Sequence, residues 1–97
     1  MQSKYTYSLR AERDVKKIYK DTFKKRGLVQ ADKYDSGLLS SVRLLASNPN
    51  LGRRSDHIKT GYRRHESGHH IIFYRQRKND IFIVRILHKK MLPEKHL

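Results

Sequence analysis

Arg63, Arg85, His88, Lys89 and His96 are the residue types that metal-free cleavage of a phosphodiester requires. Guanidinium and ammonium groups stabilise charge developing on phosphorus, while an imidazole moves the proton. The same side chains would serve as contacts on a basic binding surface. No tyrosine follows Tyr74, which leaves His88 and His96 as the late acid or base candidates. A metal site is not expected, although the histidines include His65, His69, His70 and His88. His69 and His70 are adjacent on a strand and point to opposite faces, and no clustered carboxylate completes a tetrahedral set. The sequence contains no cysteine, which removes thiolate nucleophiles, disulfides and thiolate zinc sites. It also lacks a serine on a nucleophile elbow and a G-x-x-x-x-G-K phosphate loop, so no cofactor is expected.

The elements that must position these groups are bounded by length and charge. The sequence of 97 residues suits one domain over 1–97, with no room for a second core. Its formal charge of +14, from 23 Lys and Arg against 9 Asp and Glu, opposes compaction and favours an anionic partner, either nucleic acid or an acidic protein segment. Nucleic-acid contact driven by such a charge would be non-specific and steeply salt-dependent. Met1-Gln2-Ser3-Lys4 leads into an alternating segment without the apolar region of a signal peptide, and no apolar run approaches membrane-spanning length. The reading is therefore soluble and cytoplasmic, with no membrane partner.

Tyr5, Tyr7 and Leu9 alternate with polar neighbours, which predicts a half-buried strand. Ser8 is placed to cap a helix with Glu12 in its first turn. Val15, Ile18, Thr22 and Phe23 then recur at helical spacing beneath a basic outer face, and Gly27 interrupts the helix. Ala31, Tyr34, Leu38, Val42 and Leu45 form the stripe of a second helix over about 29–47, ended by Asn48-Pro49-Asn50. Gly37 within it predicts a close approach between the helices. The stretch from Asn48 to Gly61 shows no periodicity and reads as a functional loop or a crossover. Strands are expected at Tyr62 to Glu66, His69 to Gln76 and Ile81 to His88. The order is β-α-α-β-β-β, an α+β fold with the helical hairpin on one face of an antiparallel sheet.

One helical hairpin covers only one face, yet residues of both parities are apolar in the last two strands. The row Ile71, Phe73, Ile81 and Ile83 is therefore expected to await a partner. Arg85 interrupts the apolar run Ile81-Phe82-Ile83-Val84-Arg85-Ile86-Leu87-His88, and it must snorkel, find an anion or be covered by another molecule. A three-residue loop between these strands would put Arg75 and Arg85 on one face, whereas two or four residues would put them on opposite faces.

Tyr62-Arg63, Gly68-His69-His70-Ile71-Ile72-Phe73-Tyr74-Arg75 and Ile83-Val84-Arg85-Ile86-Leu87-His88 resemble the ParE branch of the RelE/ParE toxin superfamily. Leu44-Leu45-Ala46-Ser47-Asn48-Pro49-Asn50-Leu51-Gly52-Arg53 ahead of them and Met91-x-Pro93-Glu94-x-His96-Leu97 after them extend the likeness from about Tyr5 to Leu97. The resemblance implies the toxin of a type II toxin-antitoxin pair, which inhibits DNA gyrase and is held inactive in a hetero-oligomer by a cognate ParD-like antitoxin. On that reading Arg85, His88, Lys89, Lys90, Met91, Glu94, His96 and Leu97 contact the target and no residue is catalytic. An acidic antitoxin segment would cover Ile71, Phe73, Ile81 and Ile83 and pair with Arg64, Arg75 or Arg85. The RelE branch implies instead a ribosome-dependent mRNA endonuclease, with Arg63, Arg85, His88, Lys89 and His96 at the scissile phosphate. The sequence departs from similar toxins at Leu9, Asp21 and Arg26, where proline, tyrosine and an aromatic residue are common.

Overall fold

Ser8 sets the first corner of the fold. Its hydroxyl accepts a hydrogen bond from the Ala11 N–H at 2.9 Å and donates to the Val84 carbonyl at 2.7 Å. Its own N–H meets the Ile83 carbonyl at 2.9 Å. One residue thus ends strand β1 (Tyr5–Tyr7), caps helix α1 (Leu9–Arg26) and ties both to the last strand. The computed structural model describes residues 4–97, so Met1, Gln2 and Ser3, part of the expected leaderless start, lie outside the described residues.

After α1 follow α2 (Leu28–Ser47), β2 (Arg53–Arg54), β3 (Tyr62–Ser67), β4 (His70–Gln76), β5 (Ile81–His88) and a short α3 (Pro93–His96). The sheet order is β1-β5-β4-β3-β2. β1 runs parallel to β5, and the other pairings are antiparallel, so the sheet is mixed where the sequence led us to expect an antiparallel one. Alternation in a strand is the same for either direction and so gives no sense of pairing.

The α2 stripe lands as its spacing predicts, with Ala31, Leu38, Val42 and Leu45 buried. In α1, Ala11 is buried, and Val15 and Ile18 pack partly, but Phe23 is 49% exposed and lies outside both apolar clusters. Gly37 marks no close helix approach, since a side-chain carbon there would meet nothing within 4 Å. Gly68 is required twice over. Its φ is +59°, and a Cβ would lie 2.8 Å from the Tyr34 ring.

The aperiodic stretch after α2 is anchored at both ends. The buried Tyr74 hydroxyl accepts the Gly52 N–H at 2.9 Å and donates to the Pro49 carbonyl at 2.8 Å. Further on, the Asp56 carboxylate accepts from the Gly61 N–H at 2.8 Å and from Arg54 Nε at 2.7 Å, and the Gly61 bond above all holds its pKa below the usual carboxylate range.

The expected open apolar row does not exist. Ile81 and Ile83 join Ile72, Tyr74 and Ile86 under the helices, whereas Ile71, Phe73 and Leu87 form a second cluster on the opposite face. Ile58 from the long loop and Met91 and Leu97 from the tail cover that second cluster, leaving Ile71 6% and Phe73 0% exposed. The chain itself supplies the cover assigned to a partner.

A β-bulge settles which face the arginines share. The β4–β5 loop has four residues, 77–80, closed by the Arg77 N–H to Asp80 carbonyl bond of 2.8 Å and by the Arg77–Asp80 ion pair. Unbroken pairing from Gln76 and Ile81 would set Val84 opposite Phe73 and turn Arg85 toward the helices. The register shift makes Val84 an extra residue and sets Arg85 opposite Phe73, on the helix-free face with Arg75.

Replacement Tyr74→Phe should cost about 2 kcal/mol in urea unfolding, because it strands the buried Gly52 N–H without an acceptor. Gly52→Ala should cost more, since its Cβ would overlap the Tyr74 ring.

Candidate functional site

Arg85 finds its anion inside the molecule. Its Nε and Nη2 donate to the two Asp14 carboxylate oxygens at 2.8 and 3.0 Å, and Nη1 donates to the His96 carbonyl at 2.8 Å. The pair is largely buried, with side-chain exposures of 13% and 14%. Asp14 also accepts the Ile86 N–H at 3.0 Å, a donor on the β5 edge beyond the end of β1. The hydrogen bond to Asp14 chiefly raises the Arg85 pKa, so the charge is permanent. Arg85 is therefore a strut between α1, β5 and the tail, each guanidinium nitrogen already making one bond within the chain, where the sequence suggested contacts to a target, an antitoxin or a scissile phosphate. Asp14 escaped sequence reasoning, because α1 also carries Glu12 and Asp21 and nothing in the sequence singles Asp14 out.

The tail leaves β5 through a tight turn. The Lys89 N–H bonds the His69 carbonyl at 3.0 Å, the Met91 N–H bonds the His88 carbonyl at 2.9 Å, and the Lys90 N–H bonds His88 Nδ1 at 3.1 Å. The Lys89 ammonium sits 3.4 Å from Glu66. Pro93 opens α3 at its first position, where a missing N–H costs nothing. Of the expected target contacts, Lys89, Lys90 and Glu94 are exposed, whereas Met91 and Leu97 turn inward onto the second cluster.

Of the five candidate groups for phosphodiester chemistry, Arg63 stands apart from His88. One Arg63 nitrogen, Nη1, donates to the carbonyls of Gly52 at 2.7 Å and Asn50 at 3.4 Å. Arg63 pairs with Tyr74 and His88 with His70, four residues apart along β4 or roughly 13 Å. Arg64 and Arg75 lie on the helix-free face and rest on aromatic rings, 6.0 Å from the Phe73 centroid and 5.2 Å from that of Phe82. Arg53 stands directly opposite Arg64. Among the described residues, Arg53, Arg64 and Arg75 meet no carboxylate, so this face keeps free positive charge around a sealed apolar patch.

At the other end of the sheet the histidines gather unexpectedly. Tyr34 Oη lies 2.5 Å from His70 Nδ1 and accepts the His69 N–H at 2.9 Å. The His70 and His88 rings meet edge to face at 5.3 Å. Burial, with the His88 and His69 charges adding to it, depresses the His70 pKa to about 4.

The geometry is that of a basic helical hairpin on a mixed sheet, with a short tail docked across the helix-free face. A family model described as ParE toxin of type II toxin-antitoxin system, parDE, matches residues 5–93. The chain belongs to this family. It is 35% identical over 98 residues to Toxin ParE1 of Mycobacterium tuberculosis (strain CDC 1551 / Oshkosh), covering 100% of both chains. Toxin ParE1 of Caulobacter vibrioides is 33% identical over 93 residues, 96% of each. A solved chain from the chromosomal ParDE TA system of P. aeruginosa shares the fold at a TM-score of 0.77, with 24% identity over 91% of this chain and 96% of that one.

Because the folded pKa of His70 lies below its ordinary 6.5, the unfolded chain takes up the proton first. Stability should be fully present above pH 6.5 and fall as pH drops toward 4, by on the order of 2 kcal/mol after allowance for partial exposure. Urea midpoints across that window should flatten in His70→Gln.

Proposed function

We propose that residues 1–97 act in the cytoplasm as one toxin domain that inhibits DNA gyrase without an active site of its own. A cognate ParD-like antitoxin with an acidic segment neutralises it in a hetero-oligomer. The observation that carries the gyrase reading over the ribonuclease reading is the occupation of Arg85 by Asp14 and the His96 carbonyl. Arg63, whose Nη1 donates to backbone carbonyls, stands roughly 13 Å along the sheet from His88, which supports the same reading. What stays available is a contact surface: Lys89, Lys90 and Glu94 on the tail, beside the aromatic-backed Arg64 and Arg75.

The antitoxin contact we propose is electrostatic at Arg64 and Arg75, with Arg53 beside them, and relieves the repulsion within a +14 chain. No helix among the described residues is long and apolar enough to cross a membrane.

Purified protein should inhibit gyrase supercoiling or trap cleaved DNA, and pre-incubation with the antitoxin should restore turnover. Undiminished supercoiling at large toxin excess, combined with codon-linked cuts in mRNA on translating ribosomes, would reverse the assignment in favour of the endonuclease.

A further inference from the structure

The cleft between the end of the helical hairpin and the sheet plays no part in the reading above. It is lined by Asp21, Lys25 and Arg26 from α1, Gln30 and Tyr34 from α2, His69 and His70 at the start of β4, and His88 at the end of β5, over an apolar floor that includes Ile18. Its volume is about 370 Å³, ample for a small anion.

Hydrogen bonding positions the two inner imidazoles. His70 Nδ1 lies 2.5 Å from the Tyr34 hydroxyl, which accepts from the His69 N–H at 2.9 Å and has the Ser67 carbonyl 3.4 Å away. His88 Nδ1 accepts the Lys90 N–H at 3.1 Å, so a neutral His88 carries its proton on Nε2. One nitrogen of each ring is thus already engaged, and among the described residues no third metal-ligating side chain joins them, so the pair suits an anion, to which imidazoles donate, better than a metal.

Basic groups outnumber the carboxylates at this cleft. Asp21 lines it and pairs with Lys17 at 3.3 Å on the exposed face of α1, and Asp14, the acidic group that acts on His70 from α1, is held by Arg85 and the Ile86 N–H. Glu66, on the neighbouring strand, faces Lys89 at 3.4 Å. Lys25 and Arg26 have no anionic partner among the described residues.

We infer that this cleft binds a phosphate group, with Lys25, Arg26, His70 and His88 donating to its oxygens from three different elements. Donors spread over α1, β4 and β5 suit the several oxygens of a phosphate better than the two coplanar oxygens of a carboxylate. The inference goes beyond gyrase inhibition and does not depend on it. Binding is coupled to protonation, because an anion beside His70 favours its charged form. Protonation of His70 strengthens the site as pH falls, while the phosphate itself loses one negative charge below neutral pH, and bound ligand stabilises the folded chain in either state.

The test is a titration followed by NMR of the histidine side chains at pH 7.5 and 5.5, with inorganic phosphate as probe and chloride and acetate at matched ionic strength. Saturable shifts of His70 and His88 with phosphate are expected at both pH values. The double replacement Lys25→Ala and Arg26→Ala on the exposed helix end should abolish them, while Lys78→Ala in the distant β4–β5 loop should not. A second arm with adenosine monophosphate separates a nucleotide from the free ion: tighter binding than phosphate assigns a nucleotide, and equal binding assigns the phosphate group alone. Non-saturable shifts, equal responses to chloride or acetate, or equal losses in both variants would overturn the inference, since any of them marks the general attraction of a highly basic chain.

Discussion

The bidentate pair between Arg85 and Asp14 is the constraint on which the rest of the structure depends. A guanidinium in the middle of the most apolar strand is tolerable only with a paired anion and acceptors for its nitrogens. Asp14 and the His96 carbonyl give each of the three nitrogens one. The same carboxylate receives the Ile86 N–H where β1 stops short of β5, so one acidic side chain closes a sheet edge and neutralises a buried charge. Held by its carbonyl, the segment ending in His96 lays Met91 and Leu97 over Ile71, Phe73 and Leu87. The second core therefore exists because the arginine does.

That arrangement divides the surface by role. The helix-free face is apolar at its centre but sealed, and its free charge lies on Arg53, Arg64 and Arg75 around the seal. The tail offers Lys89, Lys90 and Glu94 outward while spending its apolar residues inward. What this surface leaves free is charge rather than apolar area, in a chain that belongs to the ParE toxin family.

Much of the fold was legible in the sequence because local chemistry wrote it. The capping Ser8, the α2 stripe from Ala31 to Leu45, the stop at Asn48-Pro49 and the limits of β5 all rest on periodicity or on one residue's hydrogen bonding. What escaped were choices made by tertiary contact. The bulge at Val84 follows no pattern that hydropathy reveals, yet it decides the face of Arg85. Apolar residues of both parities in β4 and β5 pointed to a partner, because Ile58, Met91 and Leu97 carry no sign of the cluster they cover. The site suffered most for the same reason. Arg85 was conspicuous, but its partner lies 71 positions away in α1, and the Tyr34–His70–His88 group joins three separate elements.

The most direct measurement is a double-mutant cycle on Asp14→Ala and Arg85→Met by urea unfolding, with amide exchange at Leu97 followed in each variant. Each single replacement should destabilise the fold, the double should cost clearly less than their sum, and Leu97 protection should fall with loss of Arg85. A coupling near zero, or a Leu97 amide as protected without Arg85 as with it, would contradict the account.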